Sequence, residues 1–225
     1  MRFLSHSRFT ILLTVMVLLN LTRLATVTQH PNPLLLNFVG AMILITATMS
    51  LCVERRSRTL ALLLGIPAIG LTLSRNLFPG SEADLVLMSG HVTSMLFLAF
   101  VVAMILQSLM TQSVVTRDSI ASAFCGYLLI GVIFAEVYCL LELNVPNSFQ
   151  VGSTFPDWTD DPLQRWLTLE YFSLTTLTTL GFGDVIPIKP AASGLAVFEA
   201  TCGQFYLTVL VAGLVNLRAS RDPYA

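Results

Sequence analysis

Charge is what this chain of 225 residues lacks: 12 basic and 13 acidic residues make up 11% of it, against roughly 25% in soluble domains. That leaves too little polar surface to coat a water-soluble globule, which excludes a soluble enzyme, a nucleic-acid binder and a disordered chain. A net charge of −1 also gives a polyanion no electrostatic footing. Cysteine is sparse: Cys52, Cys125, Cys139 and Cys202 all lie inside apolar stretches, with no CxxC pair and no histidine cluster beside them. A disulfide framework in the aqueous loops is therefore excluded, and the four read as small apolar fillers. No nucleophile–base pair or metal-ligand cluster stands at usable spacing, so no enzymatic activity and no cofactor are expected.

What is present is apolar: 55% of the residues, with a mean hydropathy of +0.77. A spanning helix needs about 20 mostly apolar residues, so this composition furnishes roughly six and little else. Six long apolar segments separate: Phe9 to Val27, Leu34 to Val53, Thr59 to Leu77, Leu85 to Met110, Ser119 to Leu143 and Ala191 to Leu217. The third is interrupted by Gly65, Pro67 and Gly70. Lipid cannot satisfy exposed backbone groups, so these segments are read as helices. The expected fold class is an all-α membrane protein with six transmembrane helices. Met1 to about Leu24 has the basic start and apolar run of a signal peptide. The run is long and its small-residue cleavage match poor, so a retained helix is expected.

With the N-terminus in the cytoplasm, that side holds Arg2, Arg8, Arg55, Arg56, Arg58, Arg117, Arg218 and Arg221. The opposite side holds Arg23, Arg75, Arg165 and Lys189. The positive-inside rule favours this orientation, with both termini cytoplasmic in a plasma (cell inner) membrane. Asn144 to Pro162, polar and rich in Pro, Gly, Asn and Asp, then reads as an outward aqueous loop. Leu163 to Leu177 looks helical but is too short to span, and it runs into a Thr/Gly segment. It reads as a helix that enters the membrane and turns back.

That segment, Thr175 to Asp184, carries the chemistry. Gly181 and Gly183 alternate with Leu180 and Phe182, and glycine visits backbone angles closed to other residues. The strand can therefore hold successive carbonyl oxygens on one side, with the Thr179 hydroxyl at the inner end. Several such strands around an axis make stacked oxygen cages that replace the hydration shell of a small cation. One strand cannot enclose an ion, so four copies are needed and a homotetramer is expected.

Thr179-Leu180-Gly181-Phe182-Gly183-Asp184 resembles the potassium-channel signature Thr-Val-Gly-Tyr-Gly-Asp, with Leu180 for Val and Phe182 for Tyr. The layout of that superfamily (outer helix, pore helix, filter, inner helix) covers about Ser119 to Leu217. The resemblance implies K+ sites from the carbonyls of Leu180, Gly181, Phe182 and Gly183 with the carbonyl and hydroxyl of Thr179. It also implies that Asp184 braces the filter, that Tyr171 and Phe172 form an aromatic pair packed around it, and that Thr178 supports it at the pore-helix end. Gly203, 19 residues after Asp184, falls at the inner-helix hinge glycine. Phe182 lacks the phenol oxygen that in many relatives ties the filter to neighbouring pore helices, yet some relatives with Gly-Phe-Gly are potassium selective.

The organisation implied is a four-helix scaffold at residues 1–117 and a pore domain at 118–225. Voltage sensing needs several charges inside the field, each worth about 2.3 kcal/mol per 100 mV. Leu85 to Met110 contains no Lys or Arg, so no charged sensor helix is expected. Only Arg218 to Ala225 follow Leu217, so no soluble ligand-binding domain is expected either. The expected function is passive, potassium-selective conduction. A non-selective monovalent cation pore and a silent modulatory subunit are the alternatives.

Several polar residues lie in apolar segments and are functional suspects. Glu199, one turn before Gly203, either hydrogen-bonds to the back of the pore helix or titrates as a gate. His91 is a pH sensor or a hydrogen-bonded interface histidine. Glu136 and Glu170 lie in the fifth segment and the pore helix, and Glu142 is expected in water at the outer end of the fifth. Gln204 and Tyr206 are candidate inter-helix hydrogen-bonding groups, Gln204 near the cavity. Asp157, Asp160 and Asp161 either raise the cation concentration at the mouth or are ordinary loop residues.

Overall fold

The computed structural model describes residues 12–14, 17, 41–48, 55–74, 82–111, 116–153, 155, 158–159 and 161–219. The first two predicted helices lie largely outside these residues, and the parts described, 12–14 and 41–48, are helical. The remaining helices are α1 (Arg55–Ser74), α2 (Glu82–Thr111), α3 (Arg117–Asn144), α4 (Pro162–Leu177) and α5 (Pro190–Ala219). Each lies within a few residues of its apolar run. The third segment forms one helix through Pro67.

Two of these helices, over Leu85–Thr111 and Asp118–Asn144, are long and apolar enough to cross a membrane. Local chemistry sets the starts. Thr116 caps α3 reciprocally with Ser119: the Ser119 N–H donates to the Thr116 hydroxyl and the Thr116 N–H to the Ser119 hydroxyl. Asp161 caps α4 by accepting from Leu163 N–H at 2.8 Å, with Pro162 opening the helix where no amide donor is needed.

A small feature absent from the all-α expectation joins the loop to the segment after the filter. Strands β1 (Phe149–Val151) and β2 (Val185–Pro187) pair antiparallel, Gln150 opposite Ile186. Gly152 N–H donates to Asp184 O at 2.8 Å and Ile188 N–H to Ser148 O at 2.9 Å, extending the pairing at both ends. Three residues give no readable alternation, which is why the sequence shows a plain loop here.

The helices stack in sequence: α1 against α2, α2 against α3, α3 against α4, and α4 against α5, which also touches α3. The core beside α4 is aromatic. Tyr138, Phe149 and Phe172 meet edge to face with centroids 5.1 to 5.4 Å apart, an arrangement suited to the ring quadrupoles.

Candidate ion-conducting site

Residues 179 to 183 leave the C-terminal end of α4 as an irregular strand. Thr179 (φ 59°), Gly181 (φ 53°) and Gly183 (φ 79°) occupy the left-handed region, whereas Leu180 and Phe182 between them do not. Alternation of this kind turns successive amide N–H groups to one side, forming a nest, and carbonyls to the other. The hydrogen bonds agree: the N–H groups of Leu180 and Gly181 both donate to Thr175 O, at 2.8 and 3.2 Å, and Thr179 N–H donates to Thr176 O at 2.9 Å. In a trans peptide the carbonyl points opposite the N–H. The carbonyls of Thr179 and Leu180 are therefore directed away from α4. Glycine carries the twist cheaply at 181 and 183, but Thr179 is β-branched and holds a conformation that only its surroundings can enforce.

All five residues of the strand are exposed in the single chain. At its N-terminal end Thr179 borders an open recess of about 370 Å³, shared with Ala200, Thr201, Gln204, Phe205 and Thr208 of α5. The Thr201 and Thr208 hydroxyls donate to the carbonyls of Val197 and Gln204, each at 2.8 Å. Their protons are thus committed to the helix, and their oxygens present lone pairs outward.

Asp184 is the fastening at the C-terminal end of the strand. Its carboxylate accepts from the Tyr171 hydroxyl at 2.7 Å and from Val185 N–H at 3.1 Å. Tyr171 also stacks on Phe182, centroids 6.4 Å apart and planes within 4°. Phe172 does not share this position: within the chain it packs away from the strand, on Tyr138 and Phe149. Thr178 closes α4, its hydroxyl donating to Leu174 O at 2.7 Å. The negative end of the α4 dipole thus faces the start of the strand.

Gly203 is buried where α5 crosses the end of α4. A Cβ there would sit 2.7 Å from Leu177 O and 2.9 Å from its Cδ1, so close approach alone requires glycine. Tyr127 donates its hydroxyl to the same Leu177 carbonyl at 3.0 Å. Tyr206 joins α5 to α3 through Ala123 O at 2.7 Å, the inter-helix bond the sequence suggested for it, and Gln204 borders the recess.

Two buried carboxyls brace α4 from behind. Glu136 on α3 meets His91 Nδ1 of α2 and accepts from Trp166 Nε1 of α4 at 3.1 Å, so His91 is an interface residue. Glu199 on α5 accepts the Tyr138 hydroxyl at 2.6 Å and contacts the Ser173 hydroxyl of α4. Sequence reasoning missed Tyr138, Trp166 and Ser173, whose only signal was a polar tip within an apolar run.

Two expectations change. Glu142 is not in water: it is buried and accepts from the N–H groups of Asn147 and Ser148, at 2.8 and 2.9 Å, as the chain turns back through Asn147 at φ 60°. Asp161 is engaged as the helix cap, while Asp157 and Asp160 lie outside the described residues. Among the described residues no group of His, Cys, Asp and Glu is arranged to hold a metal.

The family model described as "Ion channel" matches residues 123–218. Over 51 residues the chain is 43% identical to the inward rectifier potassium channel Kirbac3.1 of Paramagnetospirillum magnetotacticum. That match covers 23% of this chain and 17% of the relative. No solved structure matches the chain. Together with the apolar helices, these similarities indicate a membrane protein whose residues 123–218 are similar to the ion-channel family, in keeping with the potassium channel superfamily that the segment from Thr179 to Asp184 resembles.

Proposed function

We propose that four copies of this chain surround a potassium-selective pore that conducts passively through a lipid bilayer. The observation that carries this reading is the left-handed alternation at Thr179, Gly181 and Gly183, with the amides of Leu180 and Gly181 turned back onto Thr175 O. Four such strands give rings of carbonyls from Thr179, Leu180, Gly181, Phe182 and Gly183 facing an axis, the arrangement that replaces the hydration of a cation. K+ is the permeant ion; no cofactor takes part and no reaction is catalysed.

A single chain leaves much of α5 bare: Val197, Phe198, Phe205 and Val209 are each more than half exposed, beside Leu180 and Phe182. Apolar side chains on this scale next to a functional strand are what neighbouring subunits cover. In the assembly residues 1–117 form the scaffold and 118–225 the pore domain, in the plasma membrane with both termini cytoplasmic and the turn after α3 outside. No charged helix senses voltage: the described part of α2 carries no Lys or Arg.

One observation favours a second reading. Phe182 has no hydroxyl to bond a neighbour and is held within the chain by stacking on Tyr171. A filter held this way also fits a pore that passes K+ and Na+ comparably.

The test is flux from the purified full chain in liposomes, with barium as blocker and the oligomer's mass measured in detergent. A tetramer with barium-sensitive K+ flux supports the pore. A tetramer without flux under any ionic gradient points instead to a silent modulatory subunit, and a monomer sinks the proposal.

A further inference from the structure

Glu199 is fully buried on α5, and its contacts lie on two other helices: Tyr138 of α3 and Ser173 of α4. Ser173 in turn lies 2.6 Å from Gly131 O of α3, which makes a proton count possible. A serine hydroxyl has one proton to donate. The carbonyl of Gly131 has none, nor does an ionised carboxylate.

With Glu199 ionised, the Ser173 proton would go to one of its two close oxygens. The other contact would then be two lone-pair-bearing oxygens at hydrogen-bond distance in a dry interior, which is repulsive. With Glu199 neutral every contact is satisfied. Glu199 donates to Ser173, Ser173 donates to Gly131 O, and the Tyr138 hydroxyl donates to the second carboxyl oxygen.

The surroundings point the same way. No Lys, Arg or His among the described residues pairs with Glu199, in contrast to Glu136, which has His91. Its titratable neighbours include Tyr138, Tyr127 and Cys202, none of which supplies positive charge. A buried carboxylate without a cation is among the least favourable groups a protein interior can hold.

We propose that Glu199 is a neutral carboxylic acid whose proton completes a hydrogen-bond chain from α5 through α4 to α3, and that this chain positions the helix behind the filter. Ser173 sits six residues before Thr179, on the helix whose Thr175 carbonyl receives the filter amides. A shift of α4 at Ser173 is therefore passed to the oxygens of the strand. Glu199 acts on conduction only through α4, as a positioning residue. Its role in conduction rests on the channel reading above, whereas its protonation does not.

The experiment is infrared difference spectroscopy on the full chain in lipid at neutral pH, in H2O and D2O, combined with K+ flux. Wild type is expected to show a carboxylic-acid carbonyl band that moves in D2O and is lost in Glu199→Gln. In Tyr138→Phe the band persists but shifts, because one hydrogen bond to the acid is gone. This second variant carries the assignment if Glu199→Gln fails to assemble. The amide keeps one donor and one acceptor, so Glu199→Gln should hold flux within about threefold, and Glu199→Leu should lower it by about tenfold, the equivalent of losing one to two hydrogen bonds.

The proposal is overturned if Glu199→Gln removes a carboxylate band instead, or if Glu199→Leu conducts like wild type. Wild type that shows the acid band but no flux would instead overturn the channel reading and leave the proton where it is placed here.

Discussion

The strand from Thr179 to Gly183 is exposed along its whole length in the chain and takes its shape from backbone angles. The helix directly behind it, α4, is buried at Trp166, Leu169, Phe172, Ser173 and Leu177 and takes its position from side-chain hydrogen bonds to its neighbours. Left to itself the strand would relax, since Thr179 sits in a region disfavoured for a β-branched residue. The helix prevents this by receiving its amides. Rigidity is thus built into the frame, and the carbonyl oxygens of the strand inherit it, as preorganised sites require.

Substitutions that separate strand from frame break this comparison most sharply. Gly183→Ala puts a Cβ on a left-handed residue, at a cost of about 1–2 kcal/mol in each copy, and nothing in the frame lies within 4 Å of it. Loss of K+ flux is expected with the oligomer still assembled; a parallel loss of assembly would show that strand and frame are not separable.

Tyr171→Phe cuts the fastening between them. It removes a hydrogen bond to the Asp184 carboxylate, about 1.5–3 kcal/mol, and keeps the stack on Phe182. Relative Na+ permeability should rise while assembly holds, as read from reversal potentials in mixed ions. Unchanged selectivity would free Asp184 from any part in bracing the filter.

Gly203→Ala strains the frame alone, forcing a methyl against Leu177 O, at about 1–3 kcal/mol. A lower melting temperature of the solubilised oligomer is the expected result, and an unchanged one would show that α5 shifts at no cost. The smallest effect belongs to Trp166→Phe, which loses the indole donor to Glu136, about 1 kcal/mol, on the face of α4 away from the strand. A modest drop in melting temperature with selectivity unchanged is expected.

The sequence made the helices legible because long apolar runs leave the backbone few alternatives, and the start expected at Leu163 lies one residue from the observed Pro162. The segment from Thr179 to Asp184 was legible because its six residues are contiguous. The frame was not. Tyr138 and Glu199 are 61 residues apart, His91 and Glu136 are 45 apart, and nothing local says which partner a buried polar tip will meet. Glu142 misled for a related reason: its position near a helix end suggests water, but the turn through Asn147 folds two amides back over it. The short ribbon at β1 and β2 was likewise hidden, since strands of three residues have no periodicity to read.

The most direct measurement is the reversal potential of the full-length chain in a planar bilayer, with K+ on one side and an equal concentration of Na+ on the other. A filter whose carbonyl rings are held by the frame described here gives a strongly K+-selective potential, close to the K+ equilibrium value. Robust current reversing near zero would contradict it: the strand would then pass both ions alike, and stacking of Phe182 on Tyr171 would be too loose a hold to discriminate.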